Sequence, residues 1–491
     1  MNNLIKNELT KIFKKKTIYI TMVLILLLII FINCINKYSN SSSYSVSFSV
    51  PMYSESYINS LKEELSNLNP EKPSDVTLYI NIKSELDLYN IMEKYKDSDW
   101  KLSIINNRIS PYITEINTYT YGADKSEELA KKATEEMENI IAKLDENNWK
   151  YFANEDLKNA NSRIEELNRQ KAQTQDTEII KDLNNEIKKV EVEKEIAEYR
   201  LKKDIPYGVD YLNVALTRYQ SASETLILYE IENKELEFEE QKEYNEALAT
   251  KEENKYIIET GVDINKSDSL KGSLQNFYSQ YGVFIIVVII MIAGTIVSEE
   301  WSKGTIKLLL VKPYTRTQIL LSKFLTVLII SAFVIVSTIL MQILVGGILF
   351  GFESLFEPVV VYNLSTNSIQ EMNIFAYLGI QTLTQLPIII LLATLAFAIS
   401  TIFSNSALAI TVSLLGYMGA SIINQLAIAY NLSFMKYFVT MNWDLSQYLF
   451  GGLPYMEGMN LITSIIICVI YLLIMLIPTF IIFKKRNIKN I

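Results

Sequence analysis

Six long apolar runs interrupt an otherwise strongly charged chain, and their lengths predict six membrane-spanning helices. Residues 17–35 carry no charged side chain over about 19 positions, close to the roughly 20 needed to cross a bilayer core of about 30 Å. Further uncharged stretches lie at 281–297, 324–350, 374–402, 406–430 and 459–483, with only Phe403 to Asn405 separating the fourth from the fifth. The expected fold class is an all-α membrane protein of six transmembrane helices. A large, largely helical, coiled-coil-like extracellular domain is expected between the first and second spans. This divides the chain into 1–16, a cytoplasmic amphipathic helix; 17–36, the first transmembrane helix; 37–280, the extracellular domain; 281–483, a five-helix transmembrane domain; and 484–491, a basic cytoplasmic tail.

Within 37–280 the apolar positions change period. Leu157, Ala160, Ile164 and Leu167 recur at 3, 4, 3, and Ile180, Leu183, Ile187, Val190, Ala197 and Leu201 keep the same register with Lys194 interrupting it. That spacing is an a/d seam of the coiled-coil type. The polar interval Ala172 to Asp176 lies between the two segments, which either fold back as an antiparallel hairpin or run on as one helix. Pro206 and Gly208 enforce a break, after which Tyr211 to Glu259 is helix-forming and ends near Gly261. Residues 124–148 read as another charge-laced helix. Residues 40–120 read as a Ser-rich stalk leading to a small packed base.

Charge separates the same two regions. Residues 37–280 hold 31 Lys and Arg against 47 Asp and Glu, a net of −16, whereas the remainder carries +7 of the total −9. Five Lys lie in residues 1–16, five cations in 298–323 and four after Phe483, but the loops 351–373 and 431–458 share a single one, Lys436. The positive-inside rule therefore predicts that both termini and 298–323 are cytoplasmic. The first apolar run exceeds the 7 to 15 residues of a signal peptide and no small-residue cleavage pattern follows it, so it reads as a retained anchor. Cys34 and Cys468 both sit in or beside apolar runs, which argues against a disulfide framework. With no His and no Cys cluster, zinc, haem and His-based catalysis lose their usual ligands.

The charged stretch 298–323, SEEWSKGTIKLLLVKPYTRTQILLSK, is wedged between two apolar runs with no room for a separate domain. Glu299 precedes Lys303 in the favourable i to i+4 order, Gly304 permits close backbone approach, Leu308 to Leu310 offer an apolar surface, Pro313 ends the segment, and Thr315 or Thr317 can cap the next helix. The ordered combination of an acidic pair, Gly-Thr, a Leu-rich turn, Pro-x-x-Arg and Ile-Leu-x-Ser-Lys resembles the first cytoplasmic loop of type 2 ATP-binding cassette exporter permeases. The amphipathic start resembles that family's N-terminal elbow helix, and the resemblance covers about 1–36 and 281–491.

The resemblance implies a permease subunit that exports or clears an amphiphilic compound such as a peptide, lipid or antibiotic; peptide-resistance, bacteriocin-immunity and sodium-efflux systems have comparable permeases. It implies that Glu299, Glu300, Gly304, Leu308, Pro313 and Arg316 contact a separate ATP-binding subunit, which holds ATP and Mg, and that a second permease copy or a similar permease completes the path. Membrane lipids surround the assembly, and no nucleic acid is an expected partner. No G-x-x-x-x-G-K-[ST] loop occurs in the chain, so neither a catalytic residue nor a cofactor or metal of its own is expected. Gln342, Gln381, Gln385, Asn424 and Gln425 are the mid-span polar groups, open to two uses: lining a path, or bonding helix to helix. The rival reading is a non-transporting surface receptor or secretion-system scaffold with the same layout.

Overall fold

The structure, a computed structural model, describes residues 1–39, 54–231, 235–306 and 313–486 of the 491-residue chain. It divides into two units: Ser42–Asp263, and Met1–Ser41 together with Ile264–Ile491.

The first of these is a helical domain built on the seam seen in the sequence. Helices Trp149–Gln173 and Thr177–Lys203 are separate and antiparallel, joined by a turn that Asp176 ends by accepting the backbone N–H groups of Glu178 and Ile179 at 2.9 and 3.4 Å. Of the two arrangements open to the sequence, the hairpin is the one formed. Ala160, Leu167, Ile187 and Val190 are buried along it, with Ile164 and Leu183 packed alongside. Fully burying one such aliphatic side chain contributes roughly 1.5–3 kcal/mol. Helices Tyr211–Ile231 and Phe238–Thr260 pack on each other, and Gly261 ends the second at φ +72°. A separate core gathers Ile104, Ile105 and Ile109, at a π-helical turn, around Leu144 and Phe152.

Among the described residues the other unit holds six helices long and apolar enough to span a membrane: Lys16–Tyr38, Phe277–Ser302, Arg316–Phe350, Ile374–Phe403, Ser406–Ala429 and Leu461–Lys485. The second and fourth are the inner pair, whereas the first, fifth and sixth turn most of their side chains outward. A Cβ added at Gly294 would lie 2.9 Å from Ile410 Cγ1, so this glycine lets the second and fifth spans approach closely. The narrow joint between the fourth and fifth spans is built by Ser404 at φ +53° and by Asn405, whose side chain caps the fifth.

Three features differ from the sequence-based expectation. The all-α reading is corrected by an antiparallel pair of strands, Val359–Asn363 and Ser368–Met372, where a β-branched run meets a turn with Asn367 at φ +48°. The 37–280 boundary is corrected because 264–280 belongs with the spans. The short helix Leu270–Gln275 in this segment buries Leu270 and Leu274 in the transmembrane core, and its Lys271 ammonium reaches Glu357 at 2.8 Å. The third span starts at Arg316 rather than 324, since Thr315 and Gln318 form a reciprocal capping box.

Candidate functional site

Both ends of the described chain, the 298–306 segment and the start of the third span meet at one end of the bundle. The N-terminal helix Asn2–Phe13 buries Leu4, Glu8 and Ile12, a stripe at i, i+4, i+8 that carries a carboxylate among apolar side chains. Lys323 lies on the buried stripe of the third span, between Leu320 and Phe324, and its side chain is 1% exposed.

These groups close a ring of alternating charge. Lys323 Nζ lies 2.7 Å from Glu8 Oε2 and 2.9 Å from Glu300 Oε1, while Lys11 Nζ lies 2.8 Å from both Glu8 Oε1 and Glu300 Oε1. Lys323 also donates to the Ile296 carbonyl at 3.4 Å, so three acceptors face its three N–H groups. Burial by itself would raise the Glu8 carboxyl, but Lys323 and Lys11 outweigh it and hold the group below its ordinary value. Burial likewise draws the Lys11 ammonium down, and its bonds to Glu300 and Glu8 carry it above the usual lysine range. Beside the ring, Glu299 bonds Lys15 at 2.6 Å and Lys303 at 3.5 Å.

A second set of contacts ties in the C-terminal end. The Arg486 guanidinium sits 4.4 Å over the Trp301 ring and donates to the Thr401 and Ile402 carbonyls at 3.0 and 3.1 Å, satisfying orphan acceptors at the end of the fourth span. Arg316 donates to the carbonyls of Lys484 and Arg486 at 3.0 and 2.7 Å. Two buried atoms here lack a partner, Glu300 Oε2 and Trp301 Nε1.

The structure therefore sorts the expected contact residues into two groups. Glu299, Glu300 and Arg316 are engaged with the chain's own helices. Gly304 and Pro313 are exposed, as are Lys303 and Thr305 beside them, and Leu308 lies outside the described residues. Gly304 has φ +67° with nothing within 4 Å of an added Cβ, so within this chain its role is conformational rather than one of close packing. Glu8 escaped the sequence reading, although its place four residues from both Leu4 and Ile12 puts it on the apolar face, where a carboxylate demands a cation.

Three of the five mid-span polar residues gather around Asp444, and the other two lie elsewhere. Gln342 exchanges two hydrogen bonds with Asn33, at 2.9 and 3.1 Å, and Asn33 also reaches Tyr281 at 3.2 Å, so Gln342 joins helix to helix. Gln381 donates to the Gln275 carbonyl at 3.1 Å. Gln385 donates to Asp444 at 2.8 Å, and Asn424 and Gln425 line a pocket that Asp444 also borders. Among the described residues no group of three or more His, Cys, Asp or Glu side chains is placed to hold a metal.

Residues 248–489, which contain the loop and five of the six spans, match a family model described as a protein of unknown function, DUF2705. The uncharacterized protein YhcI of Bacillus subtilis strain 168 is 33% identical over 215 residues, 44% of this chain and 67% of that protein. The chain belongs to the family of YhcI. The uncharacterized membrane protein YdbK of the same organism is 27% identical over 233 residues, 48% of this chain and 87% of YdbK. No solved structure matches. Six apolar helices together with a relative named as a membrane protein identify a multi-pass membrane protein.

Proposed function

We propose that the chain is the permease subunit of an ATP-driven exporter, paired with a second permease and powered by a separate ATP-binding subunit that holds ATP and Mg. In this reading both termini and the 298–306 segment are cytoplasmic, the 42–263 domain is extracellular, and the cargo is amphiphilic. The observation that carries it is the Glu8, Lys11, Glu300, Lys323 ring. Such a ring locks the loop to the N-terminal helix and to the base of the third span, so a push delivered at the loop moves the spans instead of bending the loop. Lys303, Thr305 and Pro313 remain exposed as the face a driving subunit would contact.

The test is affinity purification of the chain from its native membrane, with and without Lys303→Glu, followed by identification of the associated proteins. An ATP-binding subunit recovered with the parent and diminished with the variant, at equal melting temperature, supports the permease. A stable chain that brings down no such subunit rejects it and favours the receptor or scaffold.

A further inference from the structure

At the end of the bundle away from the charged ring, a pocket of about 270 Å³ opens between the fourth and fifth spans and the segment 431–458. Its walls include the aromatic rings of Tyr417, Trp443 and Tyr455, the carboxylate of Asp444, and the polar side chains of Asn424 and Thr440. The volume is several times the roughly 30 Å³ share of one water, which suits a small organic molecule better than a bare ion.

Asp444 has an evident structural duty, and one of its oxygens is left over. Oδ1 accepts from the Ser446 backbone N–H at 3.0 Å, the Ser446 hydroxyl at 2.6 Å and Gln385 at 2.8 Å, which caps the turn at Leu445–Gly451. Among the described residues Oδ2 receives only the Tyr455 hydroxyl, at 3.3 Å. Every one of these donors is neutral, and among the described residues no Lys or Arg pairs with this carboxylate. An anion at the end of a helix bundle in a bilayer is costly without a counter-charge. Asn424 and Thr440, which border the same pocket, each hold a buried side-chain oxygen without a hydrogen-bond partner among the described residues. Unpartnered buried acceptors are uncommon in folded proteins.

We propose that this pocket binds a primary alkylammonium group. Its N–H groups can donate to Asp444 Oδ2, and its positive charge is the one the carboxylate lacks. The alkyl part lies against Tyr417, Trp443 and Tyr455, whose ring faces also attract the cation. The group can belong to a free amine or to an aminophospholipid headgroup, since both carry the same ammonium. That such a ligand is cargo rests on the permease reading; that it binds does not, because binding needs neither ATP nor a driving subunit.

The experiment is calorimetric titration of the full chain in phosphatidylglycerol nanodiscs with n-butylammonium, with empty nanodiscs as the blank. Asp444→Asn retains a capping oxygen while removing the charge and turning one carboxylate oxygen into an amide NH2, so it tests the cation-binding oxygen without deleting the cap. The expected result is saturable binding that falls by roughly tenfold or more in Asp444→Asn at unchanged melting temperature, with 1-butanol and tetramethylammonium both much weaker. Adding phosphatidylethanolamine to the discs weakens the apparent butylammonium affinity if the lipid headgroup occupies the pocket, and leaves it unchanged if free amines are the ligand. Equal affinity in the variant, or butanol binding as well as butylammonium, or no binding by the parent in either disc, overturns the proposal.

Discussion

Lys323 and Glu8 stand 315 residues apart in the chain and 2.7 Å apart in space, and neither is exposed to solvent. The third span and the N-terminal helix are thus joined by a charge pair that neither tolerates losing. Replacing Lys323 by Met leaves Glu8 with Lys11 as its one cation and weakens the hold on Glu300, and breaking a buried pair from one side costs about 3–5 kcal/mol. Lys323→Met is expected to lower the unfolding free energy in nanodiscs by about 3 kcal/mol, whereas the double replacement Glu8→Gln with Lys323→Met recovers part of the loss because the buried carboxylate that lost one of its two cations is then neutral. A double variant no more stable than the single one would mean that the pair is not coupled.

The same ring fixes a pH dependence. Glu8 is held below its ordinary value, so its contribution is fully present above the unfolded-state value of about 4.3 and is lost as pH falls through the lower folded value. Lys11 is held above its ordinary value, so its contribution is fully present below about 10.4 and is lost only as pH rises through the higher folded value. Hydrogen-exchange protection factors across residues 2–13 are therefore expected to be flat from about pH 6 to about pH 9 and to drop below about pH 4. A decline centred near neutrality would contradict this assignment, because neither group changes charge there.

How much of this was legible in the sequence depends on the range of the interaction. Span positions follow from local hydropathy, and the six runs correspond to six helices. The Ala160 to Val190 seam follows from spacing, and the joint at Ser404 and Asn405 from its interruption of apolar sequence. Whether the seam folded back was undecided because no Gly or Pro marks residues 172–176, and the decision lies in side chains that meet only after folding. Glu299 and Glu300 stood out as a motif, but nothing local says that they face Lys15, Lys11 and Lys323. The strand pair at 359–372 and the pocket around Asp444 were hidden for a related reason: short segments between spans carry no periodicity long enough to read.

Gln342 and Gln425 separate the two uses open to mid-span polar residues. Gln342 is wholly buried in its bond to Asn33, whereas Gln425 is exposed beside the Asp444 pocket. In a background with Cys34 and Cys468 replaced, Gln425→Cys is expected to react with a small maleimide and Gln342→Cys to stay protected. A double-mutant cycle on Asn33 and Gln342 should give a coupling of about 0.6–1.7 kcal/mol, the span measured for hydrogen bonds between membrane helices. Rapid labelling at 342 would instead place that residue on a water-filled path.

Val190 tests whether the hairpin of the large domain is held by its seam or by its many surface charges. The side chain is fully buried between helices Trp149–Gln173 and Thr177–Lys203, packed in one cluster with Ala160, Leu167 and Ile187. The ion pairs along the same hairpin, such as Arg163 with Glu193 at 3.9 Å, are about half exposed, where each contributes at most about 1 kcal/mol and is screened by salt. Val190→Ala removes two methyl groups from a site with little room to collapse and is expected to cost about 2 kcal/mol. Arg163→Gln is expected to cost no more than about 0.5 kcal/mol. Unfolding of the domain followed by circular dichroism in low and high salt distinguishes the cases, since the Val190 loss is insensitive to salt. If Arg163→Gln were the more damaging substitution, charge rather than apolar packing would be holding the hairpin closed.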